Sequence, residues 1–164
     1  LRTVEEEDLE FMVDNINDPE VRSSLRSHLP INKIEEQKFL ERISENDDEL
    51  HLLIWDVNDR IGMVSLFDID QWLGRAEMGL WIIPDFWKKG YGTEASELII
   101  DYGFEELNLH KILARTLKTN SASQKIWENL GFEKEGVSRD TAYVDGEYVD
   151  MLRYSILEDE WKKD

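Results

Sequence analysis

The segment Lys88-Lys89-Gly90-Tyr91-Gly92-Thr93 limits the possible folds more than any other part of the chain. It follows an apolar run, Ala76 to Ile83, that reads as a strand stopped by Pro84, and it opens a stretch with helical apolar spacing. Glycine permits backbone conformations that a side chain would obstruct and lets a ligand approach the main chain. A helix start leaves several N–H groups unpaired at the positive end of the helix dipole. A glycine turn at that place makes an anion site suited to a pyrophosphate, and Lys88 and Lys89 add positive charge. An ordinary turn with two solvated lysines is the plainer alternative. Gly90-Tyr91-Gly92-Thr93-Glu94-Ala95 also has the spacing of a dinucleotide fingerprint. In that motif the glycines follow a strand directly, and an acid stands about 20 residues on. Here Pro84 to Lys89 intervenes, and His110-Lys111-Ile112-Leu113 offers no acid. A Walker loop is excluded because no Gly-Lys-Ser/Thr follows.

Around this turn the apolar periodicity predicts a mixed sheet with helices on its faces. Thr3-Val4-Glu5-Glu6 has the form of a capping box before a helix carrying Leu9, Met12, Val13 and Ile16. A second helix is expected from Asn32, with Phe39, Leu40 and Ile43 inward. Leu52 to Val57 and Ile61 to Phe67 read as a hairpin. After the turn, a helix presents Ala95, Leu98, Ile99 and Tyr102 on one face, and Lys111 to Leu117 reads as a strand. Asn120 or Ser121 caps a short helix that places Ala122, Ile126 and Leu130 on one side, and Gly131 ends it. Phe132 to Val137 and Tyr148 to Ile156 are the last strands, with Asp145-Gly146 as a type I′ turn between them. No repeat or Pro/Gly linker divides the 164 residues, so one domain spanning 1–164 is expected.

The formal charge of −18 argues against nucleic acid as a partner, since such binding neutralises phosphates with Lys and Arg. It would attract a cationic substrate, although solubility or high salt accounts for it equally well. No apolar run approaches the roughly 20 residues that span a bilayer. The acidic opening Leu1-Arg2-Thr3-Val4-Glu5-Glu6 lacks the pattern of a signal or transit peptide, so the cytoplasm is the expected compartment. Without cysteine there is no disulfide frame or thiol nucleophile. His28, His51 and His110 have no metal-site spacing, and no metal is expected.

Two blocks together carry a family resemblance. Arg75 to Ala95, with the run Trp81-Ile82-Ile83-Pro84 and the glycine turn, resembles the central strand, loop and helix of the GNAT acetyltransferase superfamily. Asn120 through Trp127-Glu128-Asn129-Leu130-Gly131-Phe132 resembles its second cofactor motif. Gly136, Asp145-Gly146-Glu147-Tyr148 and Met151-Leu152-Arg153 are similar to the subgroup of ribosomal-protein N-terminal acetyltransferases and spermidine N-acetyltransferases. The resemblance covers essentially the whole chain. It implies a single α+β domain with a central, mixed, mostly antiparallel sheet, and acetyl-CoA as cosubstrate. It implies that backbone groups of Lys88, Lys89, Gly90, Tyr91, Gly92 and Thr93 hold the pyrophosphate. Main-chain groups of Trp81, Ile82 and Ile83 would pair with the pantetheine arm, and Asn120 would reach the arm or the acetyl group. Trp87 stands where the family loop usually begins with Gln or Arg.

The implied reaction is attack of a primary amine on a thioester. The amine must lose a proton, so a base or a water leading to one is required. Glu77 is the base candidate, against the alternative of a carboxylate paired with a cation. Trp127 stands where a tyrosine commonly acts as acid, and an indole N–H does not titrate near neutral pH. Trp127 is therefore expected beside the cofactor arm or in the core. Ser123, at a position given the acid role in the ribosomal-protein enzymes, is the acid candidate. The glutamate those enzymes use as base would fall near Ala142, so it is absent; Tyr143 is its hydroxyl-bearing neighbour. The expected acceptor is a protein N-terminus, with spermidine or another small amine as the alternative. A CoA-binding regulatory module without catalysis is the reading from another class. A homodimer is common in the family, and membrane partners are not expected.

Overall fold

The computed structural model describes residues 1–23, 25 and 29–161, so His28 lies outside the described residues. A short strand β1 (Arg2–Thr3) leads through a 3-10 turn (Glu6–Asp8) to the helices α1 (Leu9–Ile16), α2 (Pro19–Arg22) and α3 (Lys33–Glu45). Strands β2 (Leu50–Asp56), β3 (Asp59–Asp70) and β4 (Arg75–Ile82) follow, then α4 (Tyr91–Glu105), β5 (Lys111–Leu117) and α5 (Ser121–Asn129). The chain closes with β6 (Glu133–Val144), β7 (Glu147–Leu157) and α6 (Glu158–Trp161). The seven strands form one sheet in the order β1-β2-β3-β4-β5-β7-β6. Every pairing is antiparallel except β4 with β5. That parallel pair needs a crossover, which α4 supplies.

Strand alternation sends side chains to opposite faces, and each face finds its own helices. Leu53, Met63 and Trp81 pack with Met12 of α1 and Val21 of α2. Val64, Leu66, Met78, Ala114 and Leu152 pack with Ile99 and Ile100 of α4 and Trp127 of α5. Burying an isoleucine side chain stabilises by about 1.5–3 kcal/mol, so a helix face carrying several holds its place without strong helix propensity.

Local chemistry explains the boundaries. Asn32 caps α3 by accepting from the N–H groups of Ile34 and Glu35, and Glu35 reciprocates to the N–H of Asn32 at 2.9 Å. Asp145 and Gly146 both have positive φ, as a type I′ turn requires. The first capping box differs from the expected one. Thr3 lies in β1, paired with Leu52, and the box is formed by Glu5 and Asp8. The buried stripe of α4 is Ala95, Ser96, Ile99, Ile100, Gly103 and Phe104, whereas Leu98 and Tyr102 are exposed. Helical spacing fits both sets, and the sheet selects the one that includes small residues. On α5 the buried residue is Trp127, and Ala122 is exposed.

Candidate active site

The site begins with a fault in the sheet. β4 and β5 pair only from Arg75↔Lys111 to Met78↔Ala114. Beyond that point β4 stays bonded to β3 as far as Ile82, and β5 stays bonded to β7 as far as Leu117. A notch therefore opens between Gly79–Ile82 and Arg115–Leu117, with strand-edge groups facing it. Ile83 does not contribute as expected, because its N–H donates to Ile61 O at 2.9 Å and its carbonyl accepts from Phe86 at 3.0 Å. Alternation turns Trp81 toward β3 as well, opposite Met63. Leu80 and Ile82 are left facing the notch, and the indole N–H of Trp87 donates to Ile82 O at 2.6 Å. Of the three predicted backbone positions, only Ile82 keeps its N–H on the notch side, and Leu80 joins it.

The glycine turn closes one end. Gly90 precedes α4 with φ +92° and no side-chain cap. The first intrahelical bond near this end is Glu94 N–H to Gly90 O, at 3.1 Å. The N–H groups of Tyr91, Gly92 and Thr93 therefore have no helical acceptor, which is the electrostatics of an anion site. Lys88 and Lys89 are exposed beside them, and Lys89 Nζ lies 4.7 Å from the Phe86 ring centre. The two glycines do different work. A side chain at Gly90 would meet open space but a disfavoured φ, whereas a Cβ at Gly92 would stand 3.2 Å from Ile126 and Leu80. Gly92 thus lets α4 approach β4 and α5. Tyr91 is anchored by its hydroxyl, which donates to Asp56 Oδ2 at 2.6 Å. That hydrogen bond raises the phenol pKa.

A cavity of about 650 Å³ runs through the notch. On the α4–α5 side it is lined by Leu80, Thr116, Ser123 and Trp127. Trp127 is buried, packs 5.5 Å from Phe132, and leaves its indole N–H without a partner among the described residues. Asn120 caps α5, accepting from Ser123 N–H at 3.1 Å. On the α1–α3 side the lining includes Glu36, Phe39, Glu49, His51, Ser65 and Arg115. His51 bridges Ser65 Oγ through Nδ1 and Glu49 Oε2 through Nε2, both at 2.8 Å. A carboxylate only accepts, so Nε2 carries the proton and Nδ1 accepts from the serine hydroxyl. Burial lowers the His51 pKa against the pull of Glu49, so the ring is neutral near neutral pH. Burial pushes Glu49 up, but hydrogen bonds from His51 and Arg42 outweigh it and hold the carboxylate below its ordinary range.

A family model described as "Acetyltransferase (GNAT) domain" matches residues 1–133. The chain belongs to the GNAT acetyltransferase family. The N-acetyltransferase p20 of Bacillus licheniformis is 30% identical over 166 residues, covering 98% of this chain and 93% of that one. YdaF of Bacillus subtilis, whose name assigns it provisionally to ribosomal N-acetylation, is 41% identical over 101 residues, or 62% of this chain and 55% of YdaF. A Vibrio cholerae spermidine N-acetyltransferase, solved with CoA and spermine, superposes with a TM-score of 0.93 at 26% identity. That superposition covers 98% of this chain and 95% of the other.

As a GNAT N-acetyltransferase the chain uses acetyl-CoA, and its residues fit that cosubstrate. The N–H groups at the start of α4, the open strand edge at Leu80 and Ile82, and the Trp127 N–H, which has no partner among the described residues, are donors such a ligand can use. Ser123 and Trp127 line the cavity. Asn120 performs its capping role with Oδ1, which leaves its amide N–H₂ for a ligand. Glu77 is placed differently from a free base. Arg115 Nε donates to its Oε1 at 2.8 Å, Arg115 Nη2 lies 2.5 Å from its Oε2, and it lines neighbouring hollows rather than this cavity. Tyr143 packs edge-on against Tyr148 on the exposed final hairpin, away from the cavity lining. Sequence reasoning missed the Ser65–His51–Glu49 chain, because Ser65 meets the Glu49–His51 pair only through the β2–β3 register His51↔Ser65. It missed Glu36 too, although an acid three residues before Phe39 and four before Leu40 sits on the inward stripe of α3.

Proposed function

We propose that this enzyme acetylates a primary amine that enters the notch from the α1–α3 side, while acetyl-CoA enters from the α4–α5 side. The observation that carries the reading is the cavity lined from both faces of the sheet where β4 and β5 part. Bound acetyl-CoA supplies an activated acyl group. The Ile82 N–H, fixed on the strand edge, donates to the oxyanion that develops during attack. Ser65 Oγ takes the amine proton as its own proton passes to His51 Nδ1, and Glu49 stabilises the imidazolium so formed. Ser123 Oγ–H protonates the departing sulfur. Glu77, paired with Arg115, orients the cavity wall instead of taking the proton.

The wider acceptor class has support on two sides. Relatives aligned over nearly the full chain include the Escherichia coli spermidine N(1)-acetyltransferase, 27% identical over 161 residues, which favours a small amine. YdaF keeps a protein N-terminus as the second reading. A thiol-release assay with spermidine, a basic N-terminal peptide and an aminoglycoside separates them. His51→Gln should lower kcat/KM about 10²- to 10⁴-fold, the usual contribution of general base catalysis. Glu77→Gln should leave the shape of the pH–rate profile unchanged. The reverse pattern restores Glu77 as base, and binding of acetyl-CoA without turnover on any amine refutes catalysis.

A further inference from the structure

Trp87 stands at the head of the glycine turn, yet no step of the acetyl transfer uses it. Its side chain is 42% exposed, and its indole N–H nevertheless donates to Ile82 O at 2.6 Å, five residues back on β4. The loop folds back on itself to make this contact. Phe86 N–H donates to Ile83 O and Trp87 N–H to Pro84 O, both at 3.0 Å. The carbonyl of Ile82 and the N–H of Ile83 belong to one planar peptide unit. That N–H donates to Ile61 O at 2.9 Å, so the unit is held at both ends, by β3 and by the indole. On the other side of Trp87 the chain turns sharply, with Lys88 at φ +61° and Gly90 at φ +92°. A lysine keeps left-handed backbone only where its surroundings impose it. The far end of the turn is held by the Phe86 and Tyr91 rings, 5.8 Å apart, and by the Tyr91–Asp56 hydrogen bond. Trp87 holds the near end. One side chain thus grips the strand edge and leads directly into the N–H groups of Tyr91, Gly92 and Thr93.

We propose that Trp87 is a positioning residue that ties the phosphate turn to the β4 edge, so that the two halves of CoA are bound in one fixed relation. The turn addresses the phosphates, and the edge at Leu80 and Ile82 addresses the arm. A ligand that spans two sites gains fully from the second only when their separation matches its own length and is already fixed. The indole bond supplies that fixed separation. It also holds the carbonyl side of Ile82, the residue whose N–H faces the developing oxyanion. The inference rests on the notch reading, because the arm must lie along Leu80 and Ile82. Trp87 needs no contact with the reacting atoms for this role.

The test compares CoA with its fragment lacking the arm, adenosine 3′-phosphate 5′-diphosphate, by calorimetric titration into wild type and Trp87→Phe. Phenylalanine keeps an aromatic ring and removes the N–H. The variant should bind CoA about two- to tenfold more weakly, the worth of one hydrogen bond, and should bind the fragment as wild type does. Unchanged binding of CoA overturns the tie. Weakening of the fragment by as much as CoA, or more, makes Trp87 a support for the turn alone and overturns it too. A second measurement needs no variant. In wild type, followed by NMR, the Trp87 indole N–H should exchange with solvent more slowly than that of Trp72, which is 90% exposed. Coupling is reciprocal, so CoA should slow the Trp87 exchange further. Exchange at the Trp72 rate, or exchange that CoA leaves unaltered, overturns the tie. The Ile82 amide signal separates the two levels of the reading. CoA bound without moving that signal sinks the notch reading itself, whereas a shifted Ile82 amide with unchanged CoA affinity in Trp87→Phe sinks only Trp87.

Discussion

Gly90→Ala isolates the backbone conformation of the anion turn from its contacts. The added Cβ meets nothing within 4 Å, so steric clash is absent. What remains is the cost of holding an L-residue at φ +92°, ψ −13°, about 1–2 kcal/mol. In a chain of 164 residues, 1 kcal/mol moves Tm by about 2–4 °C. The variant without ligand should therefore melt about 2–8 °C below wild type. If the turn relaxes to escape the strain, the N–H groups of Tyr91 to Thr93 lose their common aim. A hydrogen bond to a charged group is worth about 1.5–3 kcal/mol, so losing one weakens acetyl-CoA at least about tenfold. A tenfold weaker ligand gives about 1.4 kcal/mol less stabilisation at saturating concentration. Differential scanning fluorimetry with and without acetyl-CoA reads both effects. Gly90→Asn should fare better than alanine, because asparagine tolerates left-handed backbone. An alanine variant with wild-type melting and a wild-type acetyl-CoA shift would refute the claim that this φ shapes the phosphate site.

Other expectations follow from the cavity. Ser123→Ala should lower kcat with little change in KM for acetyl-CoA, measured by thiol release; an unchanged rate removes it as acid. Trp127→Phe removes an N–H that has no partner among the described residues, so no hydrogen bond to them is lost. Its KM for acetyl-CoA should rise by more than its loss of stability accounts for, whereas an unchanged KM would make Trp127 a packing residue only. Glu36→Gln should change stability with a definite pH dependence. The native state binds this proton more tightly than the unfolded chain, because burial raises the pKa with Glu35, Arg42, Glu49, His51, Asp68 and Arg115 also facing the cavity. The cost of the buried charge is absent below the ordinary glutamate pKa and is fully felt once pH rises through the raised native value. Chemical denaturation should show Gln and wild type alike at low pH, with Gln gaining as pH rises; a variant uniformly less stable would mean Glu36 has a structural partner.

The parts of the site legible in the sequence are those written in local chemistry. Gly90, Asn32, Asn120 and Asp145-Gly146 each satisfy a backbone demand within a few residues, and each stands where that demand predicts. Strand β5 was readable to the residue because both of its neighbours require the same alternation. What failed depends on partners far along the chain. The inward face of α4 is chosen by Leu66 and Ile112, which no helical spacing contains. Ile83 reads as strand, yet its two backbone groups are taken by Ile61 and by the turn at Phe86. Trp72, a large aromatic, is 90% exposed, because Asp70 accepts from the N–H groups of Trp72 and Leu73 and turns the chain outward. Glu77 is the most instructive residue. Its place on β4 was readable, but Arg115 lies 38 positions away, and only the parallel register brings the two together.

In the proposed mechanism, acyl donor and amine meet in the notch between β4 and β5. A crystal structure of the complex with CoA tests it most directly. The phosphates should lie on the N–H groups of Tyr91 to Thr93, the pantetheine arm along Leu80 and Ile82, and the sulfur toward Ser123 and Trp127. An arm bound elsewhere, with Gly79–Ile82 still facing an empty gap, would contradict it.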